Sequence, residues 1–196
     1  IPLLKRIIRV KQPEMSEADL KAAILRQVAA YLAEKEVWVH DAGVELAEVQ
    51  TAAIPRYIIR LAVNVTGRRN YLPPPQKRGR PAENGVKVRP LPRQRLERMI
   101  DATPPDECTQ FQFQGRTIQG QGWHDLIRAD QKVADAGATF TIWVFHDPLY
   151  EKPMVLGTNL GVPAETVYRL YIDRWPVEQP PLVAKQMLGL QRQFVF

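Results

Sequence analysis

Apolar residues recur with two different periods along the chain, and the change of period divides it. In residues 17–35, Leu20, Ile24, Val28, Tyr31 and Leu32 return at helical spacing, behind a start signal of Ser16 followed by Glu17 and Asp19. This predicts an amphipathic helix. Before it, residues 1–12 hold Leu3, Leu4, Ile7, Ile8 and Val10, and Pro13 closes a short strand. After it, Val37, Trp38 and Val39 predict a short buried strand ending at His40-Asp41. Ala42-Gly43 turns the chain, and Val44 to Ala53 reads as a helix that Pro55 ends. Residues 57–65 alternate, with Ile59, Leu61, Val63 and Val65 on one face, as a strand does. Strand, helix, strand, helix, strand is the grammar of an α/β fold.

A different regime begins at Gly67. Pro73, Pro74 and Pro75 run together, and Pro81, Pro90, Pro92, Pro104 and Pro105 follow. A helix or central strand does not survive that density, because proline lacks the donor N–H. Phe111 to Gln114 alternates, and Gly115-Arg116 turns it, which predicts a hairpin through Gln119. Trp123 to Ala129 carries no decisive period. The core pattern returns at Thr139, where residues 139–145 form a nearly continuous apolar, β-rich run. Met154 to Gly157 makes another short strand. Pro163 opens a helix in which Ala164, Val167, Tyr168 and Tyr171 share a face. The expected map is therefore an α/β core in two parts, 1–66 and 139–196, around an insertion at 67–138.

Charge sharpens that division. The chain carries +6 net, but the excess is local. Ten Lys/Arg and two Glu lie between Arg68 and Arg98, so the rest of the chain is slightly acidic. A concentrated basic segment suits a polyanionic partner, nucleic acid first, although a solvated loop has the same composition. Arg68, Arg69, Lys77, Arg78, Arg80, Lys87 and Arg89 are the candidate backbone contacts. Lys77-Arg78-Gly79-Arg80-Pro81 has the look of an arginine pair that enters an A·T-rich minor groove. Trp123 is a candidate to stack on an unpaired base, or else packs the insertion's own core. The single cysteine, Cys108, excludes an internal disulfide. With three histidines in the chain, a structural zinc site or a His-Asp phosphohydrolase lacks ligands, although His40-Asp41, His124-Asp125 and His146-Asp147 all occur. No apolar run reaches membrane-span length.

The chemistry concentrates in residues 168–190. Tyr171, Arg174, Glu178 and Lys185 are spaced so that one continuous helix would present all four within an arc of about 60°. A carboxylate flanked by two cations and a phenol suits phosphate and a divalent metal. Pro176, Pro180 and Pro181 argue instead for a break near Trp175 with Glu178 in the joint. Upstream, Asp41 ends a buried strand, where α/β sheets bind ligands; it could also simply cap the next helix.

The Tyr-x2-Arg-x3-Glu-x6-Lys spacing, with Arg174-Trp175 before Glu178 and Leu188-Gly189-Leu190 behind it, resembles the signature of Asp-Asp-Glu transposases of the insertion-sequence-four-like branch. Asp41-Ala42-Gly43-Val44 is similar to the family's second catalytic Asp, with Val44 where an aromatic is usual. The resemblance implies a ribonuclease H-like core interrupted by a basic, partly β insertion. It implies metal-dependent cleavage and strand transfer on double-stranded DNA at transposon ends, by a homodimer on the DNA, in a prokaryotic cytoplasm at the nucleoid. Asp41 and Glu178 would be catalytic ligands of Mg2+ or Mn2+; Tyr171, Arg174 and Lys185 would support them. The family's first Asp lies upstream of a stretch like 1–12, so this chain is expected to be a truncated or degenerate, inactive copy. The competing expectation is a non-catalytic DNA-binding protein that uses the basic insertion.

Overall fold

The computed structural model describes residues 16–75, 80–135 and 137–174. Its regular elements are α1 (Glu17–Tyr31), β1 (Trp38–His40), α2 (Leu46–Thr51), β2 (Tyr57–Arg60), β3 (Gly67–Arg69), β4 (Lys87–Val88), β5 (Arg93–Arg95), β6 (Arg98–Ile100), β7 (Glu107–Phe113), β8 (Arg116–Arg128), β9 (Phe140–His146), β10 (Met154–Thr158) and α3 (Ala164–Ile172). Eight strands share one mixed sheet in the order β1-β2-β10-β9-β8-β3-β4, with β7 also paired to β8. Only the β1–β2 pair is parallel among the described residues. Strands β5 and β6 form a separate two-stranded ribbon. The chain is thus α/β, with a mixed sheet and few helices.

Local signals place most of these elements. Ser16 caps α1: its Oγ accepts from the Asp19 N–H at 3.2 Å, and Asp19 returns a bond to the Ser16 N–H. The helix stops at Tyr31, short of the expected residue 35, and Tyr31 itself is exposed. Its apolar stripe runs instead through Leu25, Val28 and Leu32, which pack against Val49, Tyr57 and Ile59. Helix α2 is trimmed to six residues. Val44 precedes its cap and joins Val49, one turn in, within the same cluster, as a hydrophobic staple.

Strand β2 ends at Arg60, not at residue 65, and Val63 faces solvent. The reason is the paired neighbourhood of Tyr57, Ile58 and Ile59, which are all buried. Ile58 faces the cluster under α3, while Tyr57 and Ile59 face α1 and α2. An inner strand covered on both sides reads as a continuous apolar run rather than an alternation. Past Leu61, whose N–H still reaches the Val155 carbonyl at 2.9 Å, the chain turns away from the sheet.

The sheet crosses position 138 without a break. Strand β8 pairs with β9 from Gln119–His146 to Leu126–Phe140, so residues on either side of that position share one ladder. The predicted hairpin forms and pairs from Glu107 on one arm to Gly122 on the other, with β8 continuing to Arg128. A bulge at His124-Asp125, where Asp125 adopts φ +49°, bends β8 midway. Its first half pairs with β7 and its second half with β3. On the face under α3, the rings of Trp143 and Phe145 lie over Gly122 and Gly120 of β8; a Cβ on Gly122 would meet the Trp143 ring at 2.8 Å.

Helix α3 seals that face. Its buried positions are Ala164, Val167, Tyr168 and Tyr171, the face that its spacing predicts. Tyr168 packs edge-on against Phe111, Phe113 and Phe145. Its hydroxyl donates to Asp147 Oδ2 at 2.5 Å. Asp147, with its side chain 1% exposed, also receives both arms of Arg116 (2.9 and 3.2 Å) and the Leu149 N–H (2.9 Å). Burial pushes the Asp147 carboxyl up, but these donors outweigh it and hold it below its ordinary value.

Asp147→Ala leaves a guanidinium and a phenol without their acceptor, and is expected to cost about 3 kcal/mol in urea unfolding. The wild-type contribution of Asp147 is present above the unfolded pKa. It is lost as pH falls through the depressed folded value, so an acid titration of stability should be less steep in the variant.

Candidate functional site

The site lies where the two parallel strands end. Register pairs His40 with Ile59, so the next residues, Asp41 and Arg60, leave the C-terminal ends of β1 and β2 side by side. Arg60 Nη1 stands 3.6 Å from Asp41 Oδ1. From the other side α3 brings Tyr171, whose hydroxyl donates to Asp41 Oδ1 at 2.9 Å across 130 residues of chain. Arg174, just past the end of α3, places Nη2 3.1 Å from Asp41 Oδ2 and 3.2 Å from the Tyr171 hydroxyl. Its guanidinium lies over the Tyr171 ring, 4.6 Å from the centroid. His40 is turned back along the chain, with Nδ1 2.7 Å from the Asp41 carbonyl and its ring against Trp38.

Electrostatics follow from this packing. Burial raises the Asp41 carboxyl, yet the Ala42 N–H, Tyr171, Arg174 and Arg60 together hold it below its ordinary value, so it is ionised at neutral pH. Burial, reinforced by the Asp41 bond, raises the Tyr171 phenol, which stays a neutral donor. One carboxylate against two guanidiniums leaves the cluster positive, which suits a phosphate oxygen. Arg174 is 14% exposed and Asp41 38%, so the acid opens to solvent beside a largely covered cation.

As a metal ligand, Asp41 offers an ionised carboxylate that is 38% exposed. That fits one hard-oxygen arm of a magnesium or manganese site. No group of three His, Cys, Asp or Glu side chains assembles among the described residues. Glu178 and Lys185, the other two signature residues, lie outside the described residues, as do Lys77 and Arg78.

The basic positions separate by what faces them. Arg68 donates to the Ala129 and Gly85 carbonyls at 2.8 and 3.1 Å. Arg69 grips Asp106 with both nitrogens at 2.6 Å, tying β3 to the start of β7 beside the bulge in β8. Both are read from sequence as DNA contacts; in the structure both are engaged within the fold, Arg68 by two carbonyls and Arg69 by a carboxylate. Trp123 is corrected more sharply. It is 1% exposed, and its indole N–H donates to the Thr103 and Pro104 carbonyls at 3.0 Å, so its ring packs core and has no face for a base. Arg80 is exposed and pairs with Glu83. Lys87 is exposed, while Arg89 is half-buried. Burial and then the charges of Arg89, Arg68, Arg93 and Arg95 lower the Lys87 ammonium, so these cations form one positive field.

In the sequence, Arg60 is no more than a charge within an apolar run. Its place in the site depends on β1 and β2 pairing in parallel, which no local pattern encodes. Comparison with family models, with curated proteins and with solved structures finds no match to this chain.

Arg174→Ala and Tyr171→Phe are each expected to raise the Asp41 pKa, by removing a cation and a donor from the ionised form. A carboxyl-carbon NMR titration reads this directly. An unchanged Asp41 titration in both variants would contradict the geometry.

Proposed function

We propose that this chain belongs to a DNA transposase of the Asp-Asp-Glu type, insertion-sequence-four-like branch, built on a ribonuclease H-like core with a basic β insertion. The observation that carries the reading is the closure of Tyr171 and Arg174 onto Asp41. Two residues of a spacing signature meet, from 130 positions away, the acid that the same resemblance singles out. The same helix aims Tyr168, beside Arg116, at Asp147 as a sealed structural joint; the Asp41 cluster differs in that its carboxylate is 38% exposed.

In this reading Asp41 and Glu178 would hold divalent Mg2+ or Mn2+, which would supply Lewis-acid activation for phosphodiester cleavage and strand transfer. Tyr171 fixes the orientation of the Asp41 carboxylate through its neutral hydroxyl. Arg174 and Arg60 lie beside it, ready to take a share of the phosphate's negative charge. Lys185 adds a further cation toward the DNA backbone, and the Lys87 field supplies non-specific attraction to double-stranded DNA. A homodimer would hold the two transposon ends.

The test uses the complete reading frame on supercoiled plasmid carrying the element's ends, with Mg2+ or Mn2+. Nicking is expected, and Asp41→Asn should slow it by more than about 100-fold, since even residues that only orient metal ligands cost 10–100-fold. DNA retention should remain in that variant. Wild-type protein that binds DNA but nicks with neither ion would favour the second reading, a non-catalytic DNA-binding protein, for which the Lys87 field is the supporting observation.

A further inference from the structure

The β5–β6 ribbon stands apart from the main sheet, and its features are costly if folding is their only purpose. Its two-residue tip is Leu96-Glu97. Leu96 is 90% exposed and adopts φ +55°, a left-handed conformation that glycine or asparagine fills more easily. Arg95 and Arg98 sit directly opposite one another across the strands. Like charges in that position repel. No carboxylate lies within ion-pairing distance of Arg93, Arg95 or Arg98 among the described residues. Met99, 66% exposed, adds apolar surface behind the tip, opposite Gln94. At its base the ribbon merges with the positive field around Lys87, to which Arg93 and Arg95 contribute.

We infer that this ribbon is a DNA-entering arm: Leu96 wedges between base steps from the minor groove of duplex DNA, with Arg95 and Arg98 on the backbone phosphates either side. The inference rests on the DNA-binding reading above and specifies how the DNA is held. A phosphate held by each guanidinium offsets the repulsion between Arg95 and Arg98. An apolar tip flanked by cations is the chemistry of side chains that unstack and kink a duplex. Glu97 is the tip's one opposing charge, and it is exposed. An anionic lipid surface would meet the same charges, but one leucine offers it little apolar area to insert. A strained, exposed leucine at a turn points to a role outside the fold.

The experiment uses the full chain and a duplex carrying 2-aminopurine beside a TA step, with dyes at both ends. Bound wild-type protein should raise 2-aminopurine emission and shorten the end-to-end distance. Leu96→Gly removes the wedge and suits the turn, so it should melt at the same temperature or higher. It should bind within about 3-fold of wild type, losing only the nonspecific-binding-neutral wedge contact, and lose the emission gain. The double variant Arg95→Ala with Arg98→Ala should bind about tenfold more weakly at low salt, with a salt slope shallower by about 1.8 for two lost phosphate contacts. An emission gain that persists in Leu96→Gly overturns the wedge. An unchanged affinity and slope in the double variant overturns the arm while DNA binding stands. Wild-type protein that ignores the duplex but binds phosphatidylserine vesicles overturns the DNA reading itself.

Discussion

Two phenol-to-carboxylate bonds tie one helix to the ends of the sheet strands. Tyr168 and Tyr171 lie one turn apart on α3, and each donates to an aspartate just past the end of a sheet strand, Asp147 after β9 and Asp41 after β1. The two acids follow histidines in the same dipeptide, but their surroundings differ. Asp147 is sealed by Arg116, Tyr168 and the Leu149 amide, with its oxygens saturated. Asp41 keeps an open side. The first bond therefore anchors the helix, and the second holds a carboxylate that stays open to solvent. Removing the anchor would let α3 drift from the sheet and take Tyr171 and Arg174 away from Asp41.

The sheet supplies the rigidity this arrangement needs. Its central strands β9 and β10 are buried on both faces, with Trp143, Phe145 and Leu156 under α3 and Ile142, Val144 and Val155 on the other side. Close-packed layers of this kind deform little, so the strand ends that carry Asp41 and Arg60 keep their spacing. The strands after residue 67 extend the same sheet. Lys87 lies on a strand paired into the sheet that carries Asp41, whereas Arg93, Arg95 and Arg98 lie on the separate ribbon.

The arginines show how a single residue type is distributed among structural and surface duties. Arg69 and Arg116 are consumed by carboxylates and Arg68 by carbonyls. Their planar forks suit such fixed, multi-bond joints. Arg95 and Arg98 face each other and have no carboxylate within reach among the described residues. Composition counts all of these as equal positive charge. Only what stands opposite each guanidinium separates a strut from a contact.

Local chemistry was legible in the chain. Ser16 and Asp19 begin α1, the apolar run at 139–145 makes β9, Gly115 turns the β7–β8 hairpin, and the spacing of Ala164, Val167, Tyr168 and Tyr171 places the buried face of α3. These depend on neighbours within a few positions, and a sequence displays its neighbours. Asp41, Tyr171 and Arg174 could be named as a set by resemblance, but their contact belongs to the fold. So do the place of Arg60, the burial of Trp123, the early end of β2 and the internal use of Arg68 and Arg69. Each turns on which distant segment lies opposite, and partners so far apart in the chain leave no periodic trace of their pairing; only packing decides whether a charge or a ring meets solvent or an acceptor already waiting for it.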